Sequence, residues 1–274
     1  MSLQGKVAVI TGAARGLGRA SAIEFAKNGA DLVIIDICEN IDSVPYVLGS
    51  LSQLDYTGQL CKELGSTVQV CKVDIRSMDQ IEQAIDSGIA RFGKIDILLN
   101  NAGIAAPSGK IVHEVTEEQW QVMIDIDLNG AWRMIKAVGK HMAEQRTGSI
   151  INIASTAGVV GYRHFSGYVA AKHGIIGLTK AVALDYAPLK IKVNAICPGS
   201  VRDSKEVEGI MLSEIARALE VQVSEHEATF VQAQPMNELV EPQDIADAAV
   251  WLASDASPRM TGSVITVDGG FSVK

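Results

Sequence analysis

The chain has 274 residues, 47% of them apolar and 20% charged, with a formal net charge of −8. This composition suits one large α/β unit or two small domains and leaves no tract polar enough for disorder. It has no Lys/Arg cluster to form a nucleic-acid footprint, and its apolar runs are too short to cross a bilayer.

The opening stretch MSLQGKVAVITGAARG runs from a short apolar segment straight into glycines and carries no signal-peptide pattern. The expected location is the cytoplasm. Cys38, Cys61, Cys71 and Cys197 form no CxxC pair, and no His stands at metal-ligand spacing to them, so they read as buried reduced thiols and no metal is expected.

Strands and helices alternate along the chain. KVAVIT (Lys6–Thr11) is a β-branched apolar run, followed by glycines and by RASAIEFAKNGA, which has helical periodicity and a stop at Gly29. DLVIID (Asp31–Asp36) and TVQVCKVDI (Thr67–Ile75) are further strands, and SMDQIEQAIDSGIARFG (Ser77–Gly93) is a helix with an N-cap Ser and a terminal Gly. Next come strand IDILLNN, a helix from about Thr116 to Glu144, strand GSIINIAS, a helix from about Phe165 to Tyr186 and strand IKVNAIC. A helix around EPQDIADAAVWLAS and strand SVITVD close the chain. Strands that are apolar throughout and alternate with helices predict a doubly wound, Rossmann-like parallel sheet covered on both faces, in a single domain spanning residues 1–274.

Two stretches break the alternation, at about 38–58 and about 200–240; connections this long in a compact domain are usually functional. The second contains an amphipathic run, EVEGIMLSEIARALEVQ, that can form a lid helix.

TGAARGLG follows the first strand and opens the first helix. Gly12 permits a tight turn, and Gly16 and Gly18 let backbone approach a phosphate and let the helix sit close to the sheet. The helix N-terminus then offers amide donors to a pyrophosphate. Asp36 ends the second strand, where an acid accepts from both adenosine ribose hydroxyls and repels a 2′-phosphate. It favours NAD over NADP. Arg15 argues the other way, but Ile37 and Cys38 supply no second positive charge.

TGAARGLG, NNAG (Asn100–Gly103), Ser155, YVAAK (Tyr168–Lys172) and CPGSV (Cys197–Val201) stand in the order and spacing of the short-chain dehydrogenase/reductase family, which the whole chain resembles. The resemblance implies a seven-stranded parallel sheet, a nicotinamide cofactor and a Ser155–Tyr168–Lys172 triad. It also implies cofactor contacts from Gly12, Arg15, Gly16, Leu17 and Gly18, from Asp36 and Ile37, and from Asp74 and Ile75 beside the adenine. Asn101, Ala102 and Gly103 would line its middle, Pro198, Gly199 and Val201 would meet the nicotinamide, and Tyr168 and Lys172 would touch it too. A free Tyr, with a pKa of about 10, is a poor base at neutral pH. An ammonium one helical turn away and an oxidised nicotinamide both favour its phenolate, which then takes the alcohol proton as hydride leaves carbon. Ser155 would hold the substrate oxygen.

The chain departs from the family at Asp127, in MIDIDLNGAW, where an Asn usually serves as a fourth catalytic residue whose carbonyl holds a water reaching the Lys. Asp keeps the carbonyl, loses the amide and brings a charge or a proton. Asp203 stands where a Thr often holds the carboxamide. The insertion DICENIDSVPYVLGSLSQLDYTGQLCKELG is similar to that of carveol-dehydrogenase-like members, including mycofactocin-associated ones, in which it covers bound NAD so that a redox partner reoxidises it in place; CPGS stands where HPTN would be expected in that branch. An insertion that only packs over the adenine edge is the other reading.

STAGVVGYRHFSG, before and into the Tyr helix, is small and apolar apart from Arg163 and His164, and no basic cluster awaits a phosphate or carboxylate. The expected substrate is an apolar secondary alcohol or ketone, cyclic or terpenoid. A carbonyl or 3-oxoacyl reductase and a non-catalytic NAD-binding redox sensor are the competing readings. The family implies a homotetramer.

Overall fold

β1 (Val7–Thr11) is buried along its whole length, yet its side chains divide between two cores. Ala8 and Ile10 join one apolar cluster with Phe25, Leu54 and Ile245, whereas Val9 joins another with Ile85, Met134 and Val138. Alternate residues of a strand point to opposite faces. A strand apolar at every position therefore needs cover on both sides, which a parallel sheet between two helical layers provides.

The computed structural model describes residues 2–222 and 225–274. Besides β1 its strands are β2 (Asp31–Asp36), β3 (Val68–Lys72), β4 (Ile97–Asn100), β5 (Gly148–Ile153), β6 (Ile191–Pro198) and β7 (Val264–Val267). All pair in parallel, in the order β3-β2-β1-β4-β5-β6-β7. The order reverses between β1 and β4, so a crevice opens there at the carboxyl ends of the strands.

The helices are α1 (Gly16–Lys27), α2 (Leu51–Glu63), α3 (Met78–Phe92), α4 (Glu117–Ile124), α5 (Ala131–Gln145), α6 (Ser166–Tyr186), α7 (Met211–Ala218), α8 (His226–Gln232) and α9 (Pro242–Ala253). α1, α2 and α9 cover one face; α3 to α6 cover the other. The caps read from sequence are present: Ser77 accepts from the Gln80 amide, and Gly93 is left-handed at φ 77°.

Three expectations change. The helix expected from Thr116 to Glu144 is interrupted by a widened turn, Asp125–Gly130, with π-type hydrogen bonding. The stretch at 38–58 is irregular only as far as Ser50, whose hydroxyl and Gln53 form a capping box that starts α2. The amphipathic run after β6 yields a short turn at Lys205–Val207 and then α7 alone. No helix of the described residues is long and apolar enough to cross a membrane. Cys61 and Cys197 are buried, but Cys38 and Cys71 are only partly so, because they lie near the open edge of the sheet.

A buried polar chain ties the second helical layer to the sheet. Asn100 Nδ2 donates to Asn152 Oδ1 (2.8 Å), Asn152 Nδ2 to Thr179 Oγ1 (2.9 Å), and Thr179 Oγ1 to the Ile175 carbonyl (2.8 Å). Asn152 and Thr179 have no exposed surface. Asn152→Ala is expected to cost about 1–3 kcal/mol, the penalty for stranding buried polar groups. Urea unfolding checks this, and an unchanged midpoint would count against the network.

Candidate active site

The carboxyl edge of the sheet and the segment after β6 enclose a cleft of about 300 Å³. Gly12 (φ 67°) and Gly16 (φ 59°) form the turn after β1, in the left-handed region that glycine tolerates. A Cβ on Gly12 would stand 2.8 Å from Ala102 Cα. The N-terminus of α1 has no side-chain cap, so its first amides are open to a phosphate. Gly12, Arg15, Gly16 and Leu17 line the cleft. Gly18 does not: it lies behind the loop, where a Cβ would stand 2.0 Å from the Gly12 carbonyl oxygen, and its smallness lets α1 pack there.

Asp36 and Ile37 line the far end of the cleft. Asp36 accepts from the amides of Ala14 (3.0 Å) and Cys38 (3.2 Å). Burial raises its pKa, while these bonds and Arg15 pull it back. A Cβ on Gly49 would stand 3.0 Å from Asp36 Oδ1, so the segment after β2 closes over this carboxylate. Arg15 Nη2 donates to the Val47 carbonyl (2.6 Å). Tyr46, from the same segment, accepts from the Ala105 amide (3.3 Å), and burial raises its pKa. These two bonds fasten a strap across the cleft.

Asp74, Ile75, Asn101, Ala102 and Gly103 form the middle of the wall. The Asp74 carboxylate is paired with Arg76 at 2.6 Å. Asn101 Nδ2 donates to the carbonyls of Thr11 (2.9 Å) and Gly12 (3.2 Å), which fixes the end of β1. Pro198, Gly199 and Val201 complete the wall at the end of β6.

Ser155, Tyr168 and Lys172 meet at the floor. Ser155 Oγ accepts from the Ala157 amide (3.1 Å) and hydrogen-bonds the Tyr168 phenol. Lys172 Nζ donates to the Ile153 carbonyl (3.3 Å) and lies 5.4 Å from the centre of the Tyr168 ring. The expected pull of Lys172 on the phenol is present but outweighed. Burial raises the pKa of Tyr168, Lys172 lowers it, and Asp127 adds to the rise.

Asp127 lies behind this floor, 2% exposed and outside the cleft lining. Its Oδ1 accepts from the Ile104 amide (2.8 Å), and its buried Oδ2 has no hydrogen-bond partner. A Cβ on Gly103 would stand 2.6 Å from Asp127 Oδ1 and 3.3 Å from Lys172 Nζ, so glycine keeps the space between them open. Burial raises the Asp127 pKa to about 6, against the pull of Lys172 and of the Ile104 amide. Burial pulls Lys172 down, but Asp127 and Tyr168 more than offset it.

Arg202 and Tyr162 were not singled out individually from sequence, whereas Asp203 and His164 were. Asp203 accepts from the amides of Leu212 (3.0 Å) and Ser213 (2.7 Å), so its carboxylate caps α7. Arg202, in the lining, pairs with Glu227 (2.5 Å) and Glu241 (2.7 Å). Tyr162 lines the cleft, bonds Thr156 (2.8 Å) and stacks on Phe271. His164 lies outside the lining, with Nδ1 3.4 Å from the Gly109 carbonyl. No His/Cys/Asp/Glu group suited to a metal occurs among the described residues.

A family profile described as enoyl-(acyl carrier protein) reductase matches residues 12–272. The chain is 35% identical to (−)-trans-carveol dehydrogenase of Rhodococcus erythropolis, over 99% of both chains. It is 34% identical to cis-4-hydroxycyclohexanecarboxylate dehydrogenase of Sinomonas cyclohexanicum, over 97% of this chain and 96% of the relative. Its fold matches the crystal structure of carveol dehydrogenase from Mycobacterium avium in complex with NAD with a TM-score of 0.92, at 34% identity and 99% coverage of both.

Asp127 carries a testable pH signature. Its folded pKa of about 6 lies above the ordinary value of 3.8. The stability it contributes is therefore fully present below about pH 4 and lost as pH rises through about 6. Asp127→Asn, which cannot ionise, should match the wild type at about pH 4 and exceed it at about pH 8 by at most about 3 kcal/mol. Urea midpoints at both pH values check this; a variant less stable at the higher pH would rule it out.

Proposed function

The chain belongs to the short-chain dehydrogenase/reductase family, and on that premise we propose that this oxidoreductase is an NAD-dependent dehydrogenase acting on an apolar, cyclic secondary alcohol or the corresponding ketone. The observation that carries the reading is the meeting of Ser155, Tyr168 and Lys172 on the floor of a largely apolar cleft.

The residues present fit the cofactor. The turn at Gly12 and Gly16 and the uncapped α1 N-terminus suit its pyrophosphate, and Asp36 suits a ribose diol. Asp36, crowded by Gly49, leaves a 2′-phosphate no room, and Arg15 already bonds Val47. That supports NAD over NADP, and with it a dehydrogenase over a 3-oxoacyl reductase. When bound, the nicotinamide supplies the hydride acceptor and a positive charge.

In the oxidation direction Ser155 donates to the substrate oxygen and orients it. Tyr168 takes the hydroxyl proton, and in the reverse direction it returns that proton to the forming alkoxide. Lys172 stabilises the phenolate electrostatically against the cost of burial. Asp127 balances the ammonium from behind.

Val207, Ile210, Met211, Leu212, Ile215 and Leu219 form an apolar lid over the substrate side. The lining cations Arg15 and Arg202 are engaged elsewhere, which argues against a phosphate or coenzyme A group. The cyclic alcohols named for two relatives support a ring-shaped substrate. The strap held by Arg15 and Tyr46 supports slow release of NAD, with reoxidation in place by an external redox partner. Exposed Trp132 on α5, Leu184 on α6 and Val273 support the family's tetramer.

Purified protein given a panel of cyclic secondary alcohols should form NADH. Many turnovers that require added NAD mean an exchangeable cofactor; a single stoichiometric burst without it means a trapped one. Tyr168→Phe should lose about 10²–10⁴-fold in rate, and a variant that kept its rate would refute the dehydrogenase reading. Asp127→Asn should change the rate within about tenfold, or about 1.4 kcal/mol; a change of several orders of magnitude would show that the carboxylate itself is essential.

A further inference from the structure

A guanidinium with no exposed surface lies under the glycine loop. Arg19, on the first turns of α1, is fully buried. Its Nε and Nη2 donate to the Ala14 carbonyl (3.1 and 2.5 Å), and they also reach Thr57 Oγ1 (2.9 Å) and the Gln53 carbonyl (3.3 Å) of α2. The Tyr56 ring lies 5.3 Å from it. Its anionic partner is Glu208, at 2.7 Å, in the segment after β6. Glu208 also accepts from Gln53 Nε2. Its backbone is left-handed, at φ 51°. For a residue with a side chain that conformation is costly and needs contacts to hold it.

Glu208 does not line the cleft, but Val207 and the run from Gly209 to Leu212 do. Ala14, which receives two of the Arg19 bonds, donates its amide to Asp36. One buried charge thus joins the glycine loop, α2 and the apolar cover. If the cover moved away, Arg19 would lose its carboxylate partner while its Nε and Nη2 stayed tied to the glycine loop and α2, a costly separation of a desolvated charge from its counter-charge. The cost of lifting the cover therefore depends on how the glycine loop and α2 hold Arg19.

We infer that Glu208 is a positioning residue that acts through Arg19 to couple the glycine loop to the cover over the substrate side. The role rests on the dehydrogenase reading and extends it: dinucleotide binding and closure of the substrate pocket become one linked equilibrium.

The test uses the full-length protein and Glu208→Ala, a change at a partly exposed side chain. NADH release is followed by fluorescence after mixing the loaded protein with excess NAD, and amide hydrogen exchange across Met211–Ala218 is measured with and without NADH. Glu208→Ala should release NADH about tenfold faster and raise the alcohol KM about tenfold, with kcat changed less than about threefold. Bound NADH should slow exchange in Met211–Ala218 in the wild type and not in the variant. Glu208→Gln keeps an acceptor for Arg19 and should fall between the two. If Glu208→Ala lowers only the unfolding midpoint, with release, KM and exchange as in the wild type, Glu208 is a structural brace and the inference is overturned. The dehydrogenase reading fails separately, if Tyr168→Phe keeps its rate.

Discussion

The hydrogen-bond chain from Asn100 through Asn152 to Thr179 fixes where α6 lies, and the chemistry of the cleft depends on that position. It runs from β4 to β5 to α6 through residues with almost no exposed surface. Unpaired polar groups are so costly in such a place that the helix has one docking position rather than a family of them. Close packing beside it reinforces the choice: a Cβ on Gly158 would stand 2.7 Å from the Lys172 carbonyl oxygen. Tyr168 and Lys172, one turn apart on that helix, are thereby set against Ser155 at the end of β5.

The electrostatics of the floor follow from burial. Desolvation disfavours the charged forms of Tyr168, Lys172 and Asp127 alike, and their mutual attractions and repulsions decide which charges survive. The widened turn at Asp125–Gly130 brings Asp127 into this group. Such π-type interruptions of helices are frequent at functional sites. Here the carboxylate helps keep Lys172 charged while opposing ionisation of Tyr168.

The central strands were legible because runs apolar at nearly every position, as in β1 and β4, admit only a doubly covered sheet, and α3 because Ser77 and Gly93 mark its ends. The widened turn was not, since a helix of normal and one of altered pitch share nearly the same apolar pattern over six residues; only contacts with Ile104 and Ile75 distinguish them. Ser155, Tyr168, Lys172 and most of the cleft wall could be read from motif order. Arg19 could not: an arginine on the first turns of an amphipathic helix reads as exposed, and its burial is imposed by α2 and Glu208 from distant parts of the chain. Gly18 was legible as a necessary glycine, but its close contact is with the Gly12 carbonyl rather than the cleft. Asp203 could be located in the motif, yet its role as a cap depends on a helix that begins eight residues later in space reached only by folding.

The strap after β2 is held by two side-chain-to-backbone bonds: the Arg15 guanidinium donates to the Val47 carbonyl, and the Tyr46 phenol oxygen accepts from the Ala105 amide. Each pairs one side chain with one backbone atom. The positions that contribute only backbone, 47 and 105, can therefore take almost any residue, short of a proline at 105, without losing the bond. The two side-chain bonds are written at one position in the glycine loop and one in the strap, while the close approach of the strap also needs a glycine at 49 and the buried side chains of Val44 and Leu48. A lineage could acquire or discard the two bonds in two steps, but only in a segment that keeps positions 44, 48 and 49 compatible with the close approach.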